Sequence, residues 1–404
     1  MFKYVSLFSG IGGFEQALNT LGGTCVMASE IDKFANKAYE VLYGEPTIGD
    51  VTKIDENDVP DHDLLVGGFP CQAFSVAGKR LGFEDTRGTL FFEMARIAKA
   101  KQPKVILAEN VKGLVGHDKG KTLNTIIQTL CDIGYTVDFN VLNSKYFGVP
   151  QNRERIFIVA VRDDLIEPEP WKDVEGNTVV PKGKRRIKQL DGVKTFNFDW
   201  PEQKQVTTRL RDILEDNVDE KYYLSEEKTA RLVAQMELTT GKTITEDSDT
   251  QIIQQFSGGH REPKIAEIAN SNDLSYCVDA NYTKGISPNG IGKGRRTHIA
   301  EVRPVLTPDR VEKRQNGRRF KDNDEEAFTL TAQDRHGIAL GKAPKYRIRK
   351  LTPLECFRLQ GFPDSAHQAL VNAGISNSQL YKMAGNAVTV NVVKAIANRI
   401  IKYL

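Results

Sequence analysis

Short apolar runs alternate with helical patterns along residues 1–160 of the chain. Five apolar runs have the length and composition of buried strands: Tyr4–Phe8, Thr24–Ser29, Leu64–Gly67, Val105–Glu109 and Ile156–Val161. Four helical patterns lie between them: Phe14–Leu21, Lys33–Tyr43, Thr89–Ala100 and Thr122–Cys131. This alternation predicts an α/β fold with a doubly wound, mainly parallel sheet. Ligands of such sheets bind at the carboxyl ends of the strands.

The periodic signal weakens in the middle of the chain. Glu167–Asp191 is rich in Pro, Lys and Glu, which suits a linker or a surface excursion. From there to about Pro344 the sequence has short strand-like pieces and many Gly, Asn and Thr, but few helical patterns. We therefore expect a second, smaller and loop-rich domain over residues 171–344.

Helical patterns return near the end of the chain. Thr352–Gln360 begins with a Thr–Pro pair and carries Glu355 three residues after the Thr, which predicts a capping box. Val390–Leu404 has an apolar face along its length and needs an apolar partner, which we expect to be the sheet. Residues 345–404 should therefore return to the first domain and complete residues 1–170.

Composition and cysteine usage are those of an ordinary globular protein. The 404 residues are 40% hydrophobic and 27% charged. No run of about 18 apolar residues predicts a membrane span. The five cysteines are scattered and form no Cys-x-x-Cys pair, which favours reduced thiols and a cytoplasmic protein. The six histidines show no metal-ligand spacing, so we expect no metal site.

Positive charge is concentrated between Lys293 and Arg319. Nine Lys and Arg residues in this stretch are opposed by three acidic residues. Clustered positive charge suits a polyanion, because each phosphate contact releases counterions. On charge alone, a solvated surface loop is an equally good interpretation.

A glycine-rich turn follows the first predicted strand. Its sequence, Phe8–Gly13 (FSGIGG), lets the backbone approach a ligand closely before a helix begins. Glu30 ends the second strand 18 residues after Gly12, where an acidic side chain can hold a ribose. Asp50 follows the next αβ unit and could meet an adenine amine. Together they favour a nucleoside-type cofactor over the alternative of a simple tight turn.

A cysteine lies directly after the third predicted strand. Cys71 belongs to the stretch GGFPCQ and is held in a loop over the ligand face of the sheet. A nucleophilic cysteine must be a thiolate, which requires partial exposure and electropositive surroundings. Most free cysteines are instead small buried apolar residues, and that interpretation suits Cys25 and Cys131 better.

An acid and two arginines complete the candidate chemistry. Glu109 ends another strand, where desolvation can raise its pKa and let it protonate or hydrogen-bond a ring nitrogen. Arg153 and Arg155 are two residues apart, so they point the same way if the chain is extended. One could meet a carbonyl oxygen and the other a phosphate. Taken singly, each is also compatible with a surface ion pair, but together with Cys71 they suit Michael-type addition to a pyrimidine ring.

At this point the sequence resembles the DNA cytosine-5 methyltransferases of the bacterial restriction–modification and phage type. The matching motifs follow the family order: FSGIGG at 8–13, GGFPCQAFS at 67–75, GFEDTRGTLFFE at 82–93, ENV at 109–111, QNRERIFIV at 151–159, RKLTPLECFRLQGFP at 349–363 and YKMAGNAV at 381–388. They cover most of residues 1–160 and 349–404. The gap between them is where this family keeps its target-recognition domain.

The resemblance implies a Rossmann-like S-adenosylmethionine-dependent methyltransferase fold. It implies sequence-specific methylation of cytosine C5 in double-stranded DNA, with S-adenosyl-L-homocysteine as product and with the target base flipped out. Residues 171–344 would recognise the DNA target. A cognate restriction endonuclease of the same system is a possible partner, and we expect a monomer.

The resemblance also assigns roles to individual residues. Cys71 would attack C6, Glu109 would bind the N3 and amine side of the ring, Arg155 would reach O2, and Arg153 would help to hold the backbone. The cofactor residues would be Phe8, Gly10, Gly12, Glu30, Ile31, Asp50, Leu90, Asn386 and Val388.

Contacts to DNA are expected from a loop and from the middle region. Ser75 and the loop through Arg87 would close over the DNA, and Thr329 would support the displaced nucleotide. A tRNA cytosine-5 methyltransferase carries the same motifs, but the large basic middle region favours DNA. A nicotinamide-dependent dehydrogenase would explain only the glycine loop. A non-catalytic DNA-binding relative is disfavoured by the intact catalytic positions.

Overall fold

The chain forms two compact units in a computed structural model. The structure describes residues 1–70, 90–204, 208, 210–223, 225–227, 251–254, 268–269, 275–276, 297–302, 305–306, 336–337 and 346–404. Unit 1 comprises Met1–Val149, Arg153–Val206 and Gln360–Leu404, and unit 2 comprises Pro150–Asn152 and Thr207–Leu359. No helix in the described part of the chain is both long and apolar enough to span a membrane.

Fourteen strands occur in these described residues. They are β1 Phe2–Leu7, β2 Gly23–Ser29, β3 Leu64–Gly68, β4 Val105–Val111, β5 Tyr135–Asn143, β6 Gln151–Asn152, β7 Glu154–Arg162, β8 Gln251–Gln254, β9 Ile268–Ala269, β10 Ser275–Tyr276, β11 Thr297–Val302, β12 Val305–Leu306, β13 His336–Gly337 and β14 Tyr346–Lys350. The α-helices are α1 Gly13–Leu18, α2 Lys33–Tyr43, α3 Leu90–Lys101, α4 Lys121–Asp132, α5 Val179–Ile187, α6 Pro353–Leu359, α7 Asp364–Asn372, α8 Asn377–Asn386 and α9 Val390–Ile400. Short 3-10 helices include Asn19–Leu21, Val51–Lys53, Lys112–Gly120, Ser144–Tyr146, Asp163–Leu165, Leu210–Ile213, Glu220–Tyr222 and Ile401–Tyr403.

Unit 1 is built on a six-stranded sheet in the order β2-β1-β3-β4-β7-β5. Strands β2, β1, β3 and β4 run parallel to one another, whereas β7 is antiparallel to both β4 and β5. The central strands are continuous apolar runs because they are buried, as Leu64, Leu65 and Val66 show. The predicted α/β fold with a mainly parallel sheet is confirmed. The five predicted strands are present, and β5 is an additional one.

The last long helix packs against the first. In α9, Val393 and Ile396 are fully buried, and this helix contacts α1. The sequence had instead predicted the sheet as the partner of this helix. It also placed Ile401 on the apolar face, but Ile401 is 39% exposed. Ile401 lies beyond the end of α9, in the short 3-10 helix, where the helical period no longer places it inward.

The segment Glu167–Asp191, expected to be a linker or a surface excursion, folds onto unit 1. It contains α5, and Lys184 of that helix lies 2.9 Å from Asp138 of β5, with both side chains 2% exposed. The other oxygen of Asp138 accepts hydrogen bonds from the Phe198 amide and the Trp200 indole. Unit 1 therefore continues to Val206 instead of ending near residue 170, and it resumes at Gln360 instead of 345.

The described residues of unit 2 include small sheets and a capped helix. Strands β14, β11, β8 and β9 form an antiparallel sheet in that order. At the start of α6, the Thr352 amide donates to Glu355 at 2.8 Å and the Glu355 amide donates to the Thr352 hydroxyl at 3.2 Å, which confirms the capping box. Both carboxylate oxygens of Glu355 also accept from the Arg349 guanidinium at 2.9 Å.

Candidate active site

The turn after β1 adopts backbone conformations that glycine favours. Phe8, Gly10 and Gly12 have φ values of 56°, 57° and 79°. A left-handed conformation costs a residue other than glycine roughly 1–2 kcal/mol, so Phe8 marks a strained position of the kind found at functional sites. A Cβ on Gly12 would lie 2.3 Å from the Tyr43 ring. Gly12 is therefore required both by its conformation and by close packing, whereas Gly10 is required by its conformation alone.

Glu30 is fixed at the carboxyl end of β2. One of its oxygens accepts from the Gly10 amide at 2.8 Å, and the other accepts from the Ile31 and Asp32 amides at 2.9 and 2.8 Å. Asp32 in turn caps α2 and forms an ion pair with Lys382. The glycine turn and the end of β2 are thus held together by a single carboxylate.

Asp50 begins the short 3-10 helix that follows α2 along the chain. One carboxylate oxygen accepts from the Thr52 amide at 3.0 Å and from the Thr52 hydroxyl at 2.8 Å. These hydrogen bonds lower the pKa of Asp50 below its usual value. Its carboxylate is therefore ionised at neutral pH and can accept a hydrogen bond from an amine.

These groups line a cavity of about 440 Å³ at the carboxyl ends of β1, β2, β3 and β4. All of its lining residues belong to unit 1. The predicted site residues that line it are Phe8, Gly10, Glu30, Ile31, Asp50, Leu90, Glu109, Arg153, Arg155 and Asn386. Gly12 and Val388 do not line it. Val388 packs against the start of α1 instead, since a Cβ on Gly13 would lie 2.8 Å from the Val388 carbonyl oxygen, and Gly12 packs against the Tyr43 ring.

Glu109 and Arg155 form an ion pair in the wall of this cavity. Arg155 Nε lies 3.0 Å from Glu109 Oε1, and the side chains are 18% and 12% exposed. Burial raises the pKa of Glu109 above its usual value, while the charges of Arg155 and Arg153 oppose that rise. A carboxyl group in this setting can hold a proton at a higher pH than an exposed one. It can therefore serve as a hydrogen-bond donor.

Arg153 points into the protein and not toward solvent. It is 4% exposed, and its Nη2 donates to the carbonyl oxygens of Gly385 and Ala387 at 3.2 and 2.8 Å. In the structure, Arg153 therefore holds the polypeptide backbone on either side of Asn386. Sequence spacing could not reveal this contact, because its two partners lie far away in the chain.

Two further cavity residues were not assigned roles from the sequence. Asn110 is buried and donates to the Phe69 carbonyl oxygen at 2.8 Å, which fixes the peptide that leads to Pro70. Lys382 lines the cavity beside Asp32. Both belong to motifs noted in the sequence, ENV and YKMAGNAV. Their place in these motifs was the signal by which the sequence could have identified them as site residues.

Four predicted site residues lie outside the described residues. They are Cys71, Ser75, Arg87 and Thr329. Pro70, the residue before Cys71 in the sequence, lines the cavity.

The sheet and the cavity at its carboxyl edge define the class of Rossmann-like methyltransferases. The family model described as C-5 cytosine-specific DNA methylase matches residues 2–402, and the chain belongs to this family. It is a DNA cytosine-5 methyltransferase of the kind found in restriction–modification systems, as the motifs predicted.

Similar proteins come from phages and bacteria. The orphan methyltransferase M.SPRI of Bacillus phage SPR is 46% identical, covering 99% of this chain and 97% of its own. The type II methyltransferase M.DsaV of Dactylococcopsis salina is 34% identical, covering 100% of this chain and 86% of its own. A crystal structure of a DNMT2 mutant from Spodoptera frugiperda shares the fold with a TM-score of 0.59, at 21% identity over 99% of this chain and 100% of that one.

Proposed function

We propose that the enzyme methylates one short DNA target sequence, using S-adenosylmethionine as donor and Cys71 as a covalent nucleophile. The observation that carries this proposal is the Glu109–Arg155 ion pair. It lies in the wall of the cavity that Glu30, Asp50 and Pro70 also line. An acid, a guanidinium and the approach to a cysteine thus meet at a single nucleoside-sized cavity.

The lining residues suit S-adenosylmethionine. A Cβ added at Gly10 would meet no atom of the described residues within 4 Å, so the space beside this turn has room for a ligand. Glu30 offers a carboxylate for a ribose and Asp50 one for an amine, while Ile31 and Leu90 offer apolar surface. When bound, the cofactor supplies a methyl group on a sulfonium. S-adenosyl-L-homocysteine would be the product.

The protein groups would act on a cytosine that has left the duplex, because its C5 is out of reach inside the stack. Flipping costs a few kcal/mol.

The Cys71 thiolate forms a bond to C6, and the electrons of the C5–C6 double bond make C5 nucleophilic. Glu109 donates to N3 and Arg155 donates to O2, which stabilises the added charge. General-acid assistance of this kind contributes roughly 10²–10⁴-fold to the rate. After methylation a base removes the C5 proton, the C6–sulfur bond breaks, and Cys71 is released.

Target recognition is proposed for the middle of the chain, within residues 171–344, most of which belong to unit 2. DNA is the substrate that the family name supports, and we propose that it is bound in its double-stranded form. M.SPRI and M.Rho11sI are named orphan methyltransferases. We therefore propose that the enzyme acts without a cognate restriction endonuclease. We further propose a monomer in the bacterial cytoplasm, since one flipped base needs one active site.

Bisulfite sequencing tests the proposal directly. Unmethylated DNA is incubated with S-adenosylmethionine and either the wild-type enzyme or Cys71→Ser. The wild type should protect cytosines in one short recurring sequence. The variant should protect none but should still bind the same DNA duplex. Near-normal protection by Cys71→Ser would overturn the covalent mechanism, and no protection by the wild type would overturn the DNA substrate.

A further inference from the structure

A group of positively charged side chains lies on unit 1 at the same edge of the sheet as the active site. Val111, at the end of β4, lines the active-site cavity, and the 3-10 helix Lys112–Gly120 follows it directly. The connection that follows a parallel strand lies at the carboxyl edge of the sheet. Lys119 and Lys121 belong to this connection and are exposed.

Helix α5 adds positive charge beside this connection. Lys182 and Arg186 are four residues apart, so they lie on the same side of the helix. Lys182 is exposed and Arg186 is half-buried. The helix packs closely on the connection, since a Cβ on Gly183 would lie 3.0 Å from the Val115 side chain. We define the basic face by four residues: Lys119, Lys121, Lys182 and Arg186.

Arg186 joins α5 to the connection. Its Nε donates to Asn124 Oδ1 at 2.9 Å, and its Nη2 donates to the Val115 carbonyl oxygen at 3.0 Å. A Cβ on Gly120 would lie 2.0 Å from the central carbon of the guanidinium, so this group lies directly against that residue. A guanidinium has five N–H donors, and these two hydrogen bonds leave three of them for another acceptor.

The charges of the basic face are poorly neutralised within the described part of the chain. Lys121 lies 4.0 Å from Asp118, the limit of an ion pair. Among the described residues, Lys119, Lys182 and Arg186 form no ion pair. Burial lowers the pKa of Arg186, and no neighbouring carboxylate of these residues opposes that fall. Surface ion pairs therefore do not account for this group of side chains.

The positions of the lysines are unfavourable for the protein alone. Lys121 and Lys182 lie in the first turns of α4 and α5, neither of which contains an acidic residue, and the helix macrodipole disfavours a cation there. Asp118 and Lys119 have φ values of 46° and 54°, a left-handed conformation that costs roughly 1–2 kcal/mol per residue. Strain of this kind is retained mainly at functional sites. An anionic partner over the basic face would offset the electrostatic cost.

We propose that the basic face binds the sugar–phosphate backbone of the DNA duplex, through contacts that do not depend on sequence. The inference rests on the proposed function, because a duplex whose flipped base enters the active-site cavity must lie over this edge of the sheet. Each lysine or arginine that neutralises a phosphate releases counterions, and this release supplies affinity for any sequence. Backbone contacts also fix the position of the protein along the duplex.

The test measures the affinity for a fluorescent DNA duplex by anisotropy over a series of NaCl concentrations, without cofactor. A triple variant removes three exposed charges: Lys119→Gln, Lys121→Gln and Lys182→Gln. It should bind at least about tenfold more weakly at about 0.1 M NaCl, and the slope of log K against log [NaCl] should be shallower by about 2.7. Three exposed lysines near the amino edge of the same sheet provide the matched control: Lys3→Gln, Lys99→Gln and Lys402→Gln. The control should keep the slope of the wild type.

A second variant, with arginine in place of the same three lysines of the basic face, keeps the charges and should bind like the wild type. Wild-type affinity and slope in the glutamine variant would overturn the proposal, and so would an equal loss in the control. A glutamine variant that binds tRNA more weakly but binds DNA normally would also overturn it, since the basic face would then serve RNA. Binding requires neither cofactor nor turnover. A wild type that methylates no DNA would therefore defeat the proposed function and still leave this measurement readable.

Discussion

Gly68 shows how little room surrounds the acid of the active site. A Cβ at this position would lie 3.2 Å from Glu109 Oε2, so the carboxyl must shift by a few tenths of an ångström if the residue is enlarged. We predict that Gly68→Ala lowers kcat about tenfold, because a small misplacement of a catalytic group slows the reaction strongly. The affinity for the cofactor should be unchanged. Steady-state kinetics and cofactor titration measure the two quantities. Gly116→Ala is the control, since its added Cβ meets nothing within 4 Å. Equal losses in both variants would contradict the prediction.

Glu15 makes the stability of unit 1 depend on pH. Burial raises its pKa from 4.5 to about 7. A raised pKa gives stability that is fully present below the unfolded value of 4.5 and is lost as pH rises through about 7. Its titratable neighbours, Tyr4, Cys25, Tyr39 and Tyr43, all have pKa values raised above their ordinary ones. Within this cluster Glu15 is therefore the group that titrates between pH 4.5 and 8.

We predict that Glu15→Gln stabilises unit 1 by about 3 kcal/mol at pH 8 and has no effect near pH 4.5. Glutamine cannot ionise, and it still offers Tyr39 an acceptor. Urea denaturation followed by tryptophan fluorescence measures this, because Trp171 and Trp200 are the only two tryptophans and both lie in unit 1. Parallel pH profiles for the two proteins would contradict the assignment.

At the scale of the residue, the sequence predicted which side chains lie at the ends of strands. It did not predict which side chains point into the protein. Glu30, Asp50, Glu109 and Arg155 were expected at a single site, and they line the same cavity. Glu30, Glu109 and Arg155 each lie at the end or start of a buried apolar run, and Asp50 follows an αβ unit. Arg153 also lines it, but its partners are carbonyl groups of a distant segment, which no local pattern contains.

The start of α2 connects the stability of this helix to the binding of the cofactor. Asp32 accepts from the Phe34 and Ala35 amides at 2.9 and 3.1 Å, and its ion pair with Lys382 is partly exposed. We predict that Asp32→Ala costs about 1 kcal/mol of stability through the lost cap. It should also weaken cofactor binding, because losing the cap loosens the backbone at residue 32, whose amide donates to Glu30. Asp32→Asn keeps the cap acceptor and should lose only a few tenths of a kcal/mol. Denaturation and cofactor titration compare them, and equal effects would show that the ion pair and not the cap matters.

Elements with continuous apolar runs were predicted, and elements with buried polar residues were missed. Strand β5 carries Asp138 and Asn140 among its apolar residues, which breaks the pattern expected of a buried strand. Helix α5 contains four Lys and Arg residues in nine, so its composition indicated solvent exposure. The charge of Lys184 is neutralised by Asp138 within the core. Such pairing is a property of the folded chain that composition does not report.

At the scale of the whole molecule, the division into two units indicates that the target sequence can be changed without changing the catalytic site. All residues lining the active-site cavity belong to unit 1. We predict that replacing residues 207–359 with the corresponding segment of M.SPRI gives an enzyme that methylates the M.SPRI target sequence. Bisulfite sequencing of the chimera and of both parents measures this. A chimera that is active at the original target would place recognition elsewhere in the chain.

The plan of a chain that leaves the first domain and returns to it was predictable, because helical periodicity stops and later resumes. The boundaries were not, since they depend on contacts and not on composition. Residues up to Val206 join unit 1 through packing of Trp171, Ile187 and Phe196, each of which is buried. A sequence rich in Pro, Lys and Glu gave no sign of these contacts.

The packing of α1 against α9 has a consequence for synthesis of the enzyme. The glycine turn precedes α1 directly, and Gly13 lies against Val388, so the helix that follows the turn depends for its packing on residues far later in the chain. Closing so long a loop is slow compared with local folding. A nascent chain therefore lacks the packing that supports the cofactor turn until α9 has been synthesised, and DNA methylation cannot begin before that point.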